Sequence, residues 1–271
     1  MNHWGHSFGI NTYSYTQSMS AAECVRMLAD RGVRSVELMF YPGHLWITDG
    51  PVVIRDLRSA LEQTGVKLVS VNGPNVDLNI AAATAEMREY SIRLNTEYLR
   101  VATELDAEGL ILGPGKPNPL FPMQKELMEE HFFRALDTLL PISERCGVDL
   151  WIENMPFAFL PDADGMMASL DRYGADNIGV CYDVANAHFI AEDVVAGFDR
   201  VRSRLQLVHL SDTNQSAYRH DAVGLGDVDF TAALAKIDTL SLERTPMLEI
   251  ISQNADQDIG QSIQMLSALT T

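Results

Sequence analysis

A short apolar run that stops on a polar residue or a glycine is written eight times along this chain of 271 residues, and a stretch with helical spacing follows each run. In the first half Phe8-Gly-Ile ends at Asn11, Ser35-Val at Glu37, Lys67-Leu-Val-Ser-Val at Asn72 and Gly109-Leu-Ile-Leu at Gly113. In the second half Leu150-Trp-Ile ends at Glu153, Ile178-Gly-Val-Cys-Tyr at Asp183, Leu205-Gln-Leu-Val at His209 and Met247-Leu at Glu249. Runs this short, β-rich and without clean alternation suit strands buried on both faces, as in a parallel sheet covered by helices.

The intervening segments carry helix punctuation. Ser20-Ala-Ala-Glu23 is a capping box that opens a helix to Arg31, with Gly32 as its stop. Pro51 suits the first turn of a helix through Gln63, closed by Gly65. Residues 82–105, 123–145, 162–173, 193–203, 230–240 and 256–269 complete the set. Eight strands alternating with eight helices within about 250 residues predict a single α/β domain over residues 1–271, closed as a (β/α)8 TIM barrel. An open doubly wound sheet is the weaker alternative, because no Gly-x-Gly-x-x-Gly follows the first strand.

Charge narrows the partners. Lys and Arg number 20 against 37 Asp and Glu, a formal net charge of −17. Such a surface repels polyphosphate, which favours a small-molecule partner over nucleic acid. The cysteines Cys24, Cys146 and Cys181 are odd in number and far apart, and read as reduced thiols of a cytoplasmic protein. Residues 1–6 lack the basic and apolar regions of a signal peptide, and no run approaches the roughly 18 to 20 apolar residues of a membrane span.

In a TIM barrel the loops leaving the C-terminal ends of the strands converge over the axis, so strand-end residues are site candidates. Four neighbouring strands end in Glu153, Asp183, His209 and Glu249. Three carboxylates at one point repel each other unless protonated or neutralised, and a divalent cation supplies the charge most directly. Oxygen-rich ligation with one imidazole suits Mn²⁺, with Mg²⁺, Co²⁺ or Zn²⁺ as alternatives. The bland alternative makes these residues separate helix caps or salt-bridge partners.

The segments Trp151-Ile-Glu-Asn-Met-Pro, Cys181-Tyr-Asp-Val-Ala-Asn-Ala-His, Val208-His-Leu-Ser-Asp and Leu248-Glu-Ile resemble, in order and spacing, the xylose-isomerase-like TIM-barrel superfamily of sugar isomerases and epimerases. That superfamily includes ketose 3-epimerases, hydroxypyruvate isomerase, inosose isomerases and dehydratases, and apurinic-site endonucleases. The resemblance implies that Glu153, Asp183, His209 and Glu249 are metal ligands and that Glu153 and Glu249 are also the catalytic acid–base pair. It implies an isomerase or epimerase of a small ketose, keto-polyol or related α-hydroxyketone, working by proton transfer through a metal-stabilised cis-enediolate. Relatives are often dimers or tetramers, so a homo-oligomer is expected. Metal-dependent dehydration of an inosose-like or dehydroshikimate-like substrate is the leading alternative, and a noncatalytic sugar-binding barrel a third.

Substrate contacts are expected from the same mouth. His188, five residues after Asp183, is placed on the loop after strand six, where the resemblance implies contact with a substrate oxygen. Arg219, in Tyr218-Arg-His-Asp, offers a fork of donors for a hydroxyl or carboxylate, with a structural ion pair as its alternative. Glu37 and Asn72 point to the mouth from strands two and three, and Lys116 can reach it from the Pro-rich loop after strand four. Asn11 and Asn154 are neutral hydrogen-bonding candidates, and Phe40, Trp46, Phe157 and Phe159 candidate apolar walls. The endonucleases of the superfamily carry further histidines; here strand three ends in Asn72, strand four in Leu112-Gly113, and the loop after strand seven lacks Asp-x-His.

Overall fold

A computed structural model describes residues 4, 5 and 7–269; most of the N-terminal stretch read above for a leader lies outside the described residues. Parallel strands β1 (Gly9–Asn11), β2 (Ser35–Met39), β3 (Lys67–Asn72), β4 (Gly109–Leu112), β5 (Asp149–Glu153), β6 (Gly179–Asp183), β7 (Leu205–Leu210) and β10 (Met247–Leu248) close into a barrel in chain order. Between them lie α1 (Ala21–Asp30), α2 (Pro51–Thr64), α3 (Ala85–Glu104), α4 (Lys125–Cys146), α5 (Ala163–Tyr173), α7 (Val194–Val201) and α8 (Phe230–Asp238), with α9 (Ala255–Leu269) last. This is the expected TIM barrel, with element ends shifted by one to three residues.

The local signals act as read. Ser20 and Glu23 form the reciprocal capping box, Pro51 starts α2, and Gly65 ends it in the left-handed conformation. Two elements were not legible. A short helix α6 (Val184–Phe189) begins at the last residue of β6, and an antiparallel hairpin of β8 (Asp212–Asn214) and β9 (Ala217–Asp221) rises from the end of β7. The hairpin turn is held by Asn214 Oδ1, which accepts from the Ser216 and Ala217 amides, a turn closed by a side chain rather than by glycine.

Two cores divide the strands by parity. Except in β3, whose pairing with β2 shifts register after Val36 so that Asn72 faces inward and Val71 outward, odd positions point one way and even positions the other. Leu150, Ile152, Val180, Tyr182, Val208 and Leu248 pack outward against the helices. Val69, Ile111, Trp151, Cys181, Leu207 and Met247, one from each of six strands, fill the barrel interior. The fully buried Trp151 indole occupies room left by glycines on both neighbouring strands: a Cβ at Gly109 would lie 2.5 Å from the ring, and one at Gly179 2.7 Å from it. Arg244 stacks 4.8 Å from the indole centroid at the opposite end from the strand C-termini and is 2.6 Å from Glu108.

Because a closed barrel cannot swell to admit an extra methyl, Gly109→Ala is expected to cost about 2–3 kcal/mol of stability in urea unfolding, despite the lower unfolded-state entropy of alanine. Trp151→Phe in the same chain should recover part of that loss; full stability of Gly109→Ala alone would contradict this packing.

Candidate active site

The parity that builds the interior core also builds the site one step higher. Two residues beyond Trp151, Cys181, Leu207 and Met247 come Glu153, Asp183, His209 and Glu249, which therefore face the same axis at the C-terminal end. A ligand-type atom from each lies within 4.8 Å of those of the other three, and all four residues are buried. His209 Nδ1 is 3.3 Å from Glu153 Oε1, 3.2 Å from Glu249 Oε2 and 3.8 Å from Asp183 Oδ2. His209 Nδ1, Asp183 Oδ2 and Glu249 Oε2 are buried without a hydrogen-bond partner. Orphaned donors and acceptors of this kind are costly unless something fills the space between them. One imidazole and three carboxylates converging on one point suit a divalent cation in both charge and donor type.

The second layer fixes these groups. His209 Nε2 is 3.2 Å from Glu37 Oε1, so the ring donates there and leaves Nδ1 facing the cluster. Glu37 in turn accepts from Asn11 Nδ2 at 2.5 Å, Ser70 Oγ at 2.5 Å and Asn72 Nδ2 at 3.2 Å. Asn11 also donates to Glu249 Oε1 at 3.2 Å, and so ties two strand-end acids together. Asn154 bridges β5 and β6 by accepting from the Asp183 amide and donating to the Asp183 carbonyl. Asp183 Oδ1 accepts from the Asn186 amide, which makes this acid the N-cap of α6 as well.

A cavity of about 160 Å³ opens above Glu153 and Glu249, lined also by Tyr13, Asn72, Lys116, Phe157 and Tyr218 among others. Of the expected substrate contacts, Asn72 and Lys116 reach it. Glu37 lies beneath, buried in the network around His209. His188 does not line it: the residue sits on α6 rather than a loop, and its Nε2 is 2.6 Å from Asp227 Oδ1. Arg219 is exposed and pairs loosely with Asp221 at 3.9 Å, because alternation along β9 turns it outward and turns its neighbours Tyr218 and His220 inward. Those two were missed by sequence reading, since only the unforeseen hairpin gives them a common face. The Tyr218 hydroxyl donates to Asn186 Oδ1 at 2.7 Å and lies 2.8 Å from His220 Nε2. Of the expected apolar walls only Phe157 lines the cavity; Phe40 instead stacks on Tyr98 at 4.2 Å.

Burial and the neighbouring carboxylates push Glu153 and Asp183 up to about 7. For Glu249 burial acts in the same direction but is outweighed by the imidazoles of His209 and His220, leaving it below its ordinary value. His209 is held well above its ordinary range: burial opposes its charge, and Cys181 with the facing Glu37 and Glu249 carboxylates overcomes that opposition.

The metal-free fold thus keeps protons on Glu153 and Asp183 that the unfolded chain has lost, so their contribution to its stability fades as pH rises through about 7. A cation must displace those protons, so its binding strengthens over the same interval. The gain in melting temperature from Mn²⁺ is expected to grow between about pH 5.5 and about pH 8, with proton release per ion measurable by calorimetry in buffers of different ionisation enthalpy. A gain independent of pH would contradict the assignment. Glu37→Gln should weaken Mn²⁺ binding about 10- to 100-fold by titration, through loss of the acceptor that orients His209.

A family model for the xylose isomerase-like TIM barrel matches residues 25–269. An uncharacterised protein of Methanocaldococcus jannaschii is 21% identical over 249 residues, covering 89% of this chain and 83% of that protein. A probable endonuclease 4 of Mycobacterium ulcerans is 27% identical over 202 residues, covering 70% and 74%. Among solved structures, a D-tagatose 3-epimerase-like protein superposes with a TM-score of 0.84 at 20% identity over 97% of this chain and 96% of that one. The IolI protein with a bound zinc atom gives 0.78 at 16% identity, over 97% and 96%. A probable 3-DHS dehydratase, AsbF from Bacillus anthracis, gives 0.76 at 15% identity, over 96% and 98%. With the family match spanning most of its length, the chain belongs to the xylose isomerase-like TIM barrel family.

Proposed function

We propose that this protein is a divalent-metal-dependent isomerase or epimerase of a small ketose, keto-polyol or related α-hydroxyketone, with Glu153 and Glu249 as its proton-transfer pair. The observation that carries this reading is the pair itself: both glutamates belong to the buried donor cluster and both line the cavity above it. The sugar epimerases among the structural neighbours support the substrate type, and the acidic surface favours a small molecule over a polyanion.

A divalent ion held by Glu153, Asp183, His209 and Glu249 would supply charge that polarises adjacent substrate oxygens and makes the neighbouring C–H more acidic. The chain's own groups then divide the proton work. Glu249, held by Asn11 through Oε1, serves as the base. Glu153, which receives a 3.4 Å contact from Asn186 Nδ2 and lines the same cavity, is its partner in the transfer. Return of the proton to the other face of the same carbon gives an epimer, and to the adjacent carbon an isomer. Lys116, whose ammonium is anchored to the Asn75 and Val76 carbonyls, orients a substrate oxygen at the rim. Phe157, Met155 and Pro156 exclude water from one wall.

With the Mn²⁺-loaded protein in D₂O, proton NMR of a panel of ketoses, inososes and hydroxypyruvate is expected to show deuterium entering beside the carbonyl together with an isomeric product. Glu153→Gln and Glu249→Gln should each lower that exchange by about 10²- to 10⁴-fold with the fold retained by circular dichroism. A fully active Glu249→Gln protein would overturn the assignment, and a product lighter by water would make the protein a dehydratase.

A further inference from the structure

A second and larger cavity, about 700 Å³, lies between the loop after β1 and the loop after β10. Tyr13 and Ile251 line both this groove and the inner cavity, so the two adjoin at these side chains. The groove is a built surface. Ser14 Oγ donates to the Ile250 carbonyl and accepts from the Ser252 amide at 2.9 Å, which stitches the two loops together. The carboxylate of Asp256 is held by both terminal nitrogens of Arg31, each at 2.5 Å, and by the Tyr15 hydroxyl at 3.0 Å. Its charge is therefore already balanced from within the chain.

What remains to meet a ligand is neutral and rich in hydrogen-bonding capacity. The side-chain amides of Gln17, Gln253, Asn254 and Gln257 line the groove and make no hydrogen bond to another described residue. Each amide offers two donors and a two-lone-pair acceptor, a set that matches vicinal hydroxyls and gives no advantage to phosphate or ammonium. Tyr13, Met19 and Ile251 add the apolar patches on which a sugar's C–H face can rest. The inner cavity is different: Met155, Pro156 and Phe157 form one of its walls, and its polar side chains Asn72, Asn186 and Tyr218 are already hydrogen-bonded within the chain. It is suited to the reacting end of a substrate and offers little to a long run of hydroxyls.

We propose that the groove between the β1 and β10 loops is a glycosyl subsite, so that the substrate is a keto-sugar bearing a neutral sugar substituent, with the carbonyl-bearing part in the inner cavity and the substituent among the amides. This rests on the sugar reading of the inner cavity and adds an extended substrate class to it. Phosphorylated sugars are excluded from the groove's preference by the absence of an unpaired cation among its described lining residues.

Equilibrium binding to the full Mn²⁺-loaded chain, measured by titration calorimetry, would compare D-fructose with the glucosyl-fructoses turanose, isomaltulose and leucrose. At least one disaccharide should bind about tenfold or more tightly than fructose, since several uncommitted amides gain partners only with the extended ligand. In the Gln17→Ala/Gln253→Ala double variant, altered only at exposed positions, the ratio of disaccharide to monosaccharide affinity should fall toward one. Disaccharides that bind no better than fructose, or a ratio untouched by the double variant, would overturn the subsite. Proton exchange in D₂O on the same samples separates the two readings: tight disaccharide binding without exchange leaves the subsite standing and removes the isomerase, whereas no binding of any sugar removes both.

Discussion

The structure turns on a charge problem: three buried acids, Glu153, Asp183 and Glu249, face one imidazole at the top of the barrel, with a fourth acid, Glu37, behind it. Isolated burial of one carboxylate is already costly, and burial of several against each other forces protonation, pairing or a cation. The chain answers in layers. Glu37 is satisfied by Asn11, Ser70, Asn72 and His209, so it acts as a fixed brace. Asp183 Oδ2, Glu249 Oε2 and His209 Nδ1 are left without partners, and these atoms belong to the group that could hold a cation.

The rest of the barrel serves this arrangement. Trp151 and the other interior residues make an apolar plug directly below the acids, and the glycines beside the indole let the strands close tightly around it. A plug of this kind keeps water from reaching the cluster from below and holds the strand ends in fixed register. Asn11 then couples Glu37 to Glu249, so orientation of the imidazole and of the proposed base depend on one amide. Disturbance of the plug, the brace or Asn11 should be felt at the same point.

Specificity belongs to the loops. The β8–β9 hairpin brings Tyr218 and His220 over the cavity, α6 brings Asn186, and the loops after β1 and β10 frame the adjoining amide-lined groove. In the proposed function these loop elements would decide which substrate part lies where, and the strand-end acids would do the proton work.

The sequence by itself determined the barrel and the four converging strand-end residues. Apolar runs closing on Glu153, Asp183, His209 and Glu249, separated by capped helices, leave few other ways to bury both faces of eight strands. Asn72 and Lys116 at the cavity were legible for the same reason, because strand ends and the loops that follow them open on one mouth. Tertiary structure alone decided the outer contacts. Asp183 capping a helix carried His188 away from the cavity to Asp227, and a hairpin without a glycine turn reversed the expected facing of Arg219 relative to Tyr218 and His220. A strand's side-chain direction flips with a single residue, so a loop of unknown register cannot announce which of its residues faces the substrate.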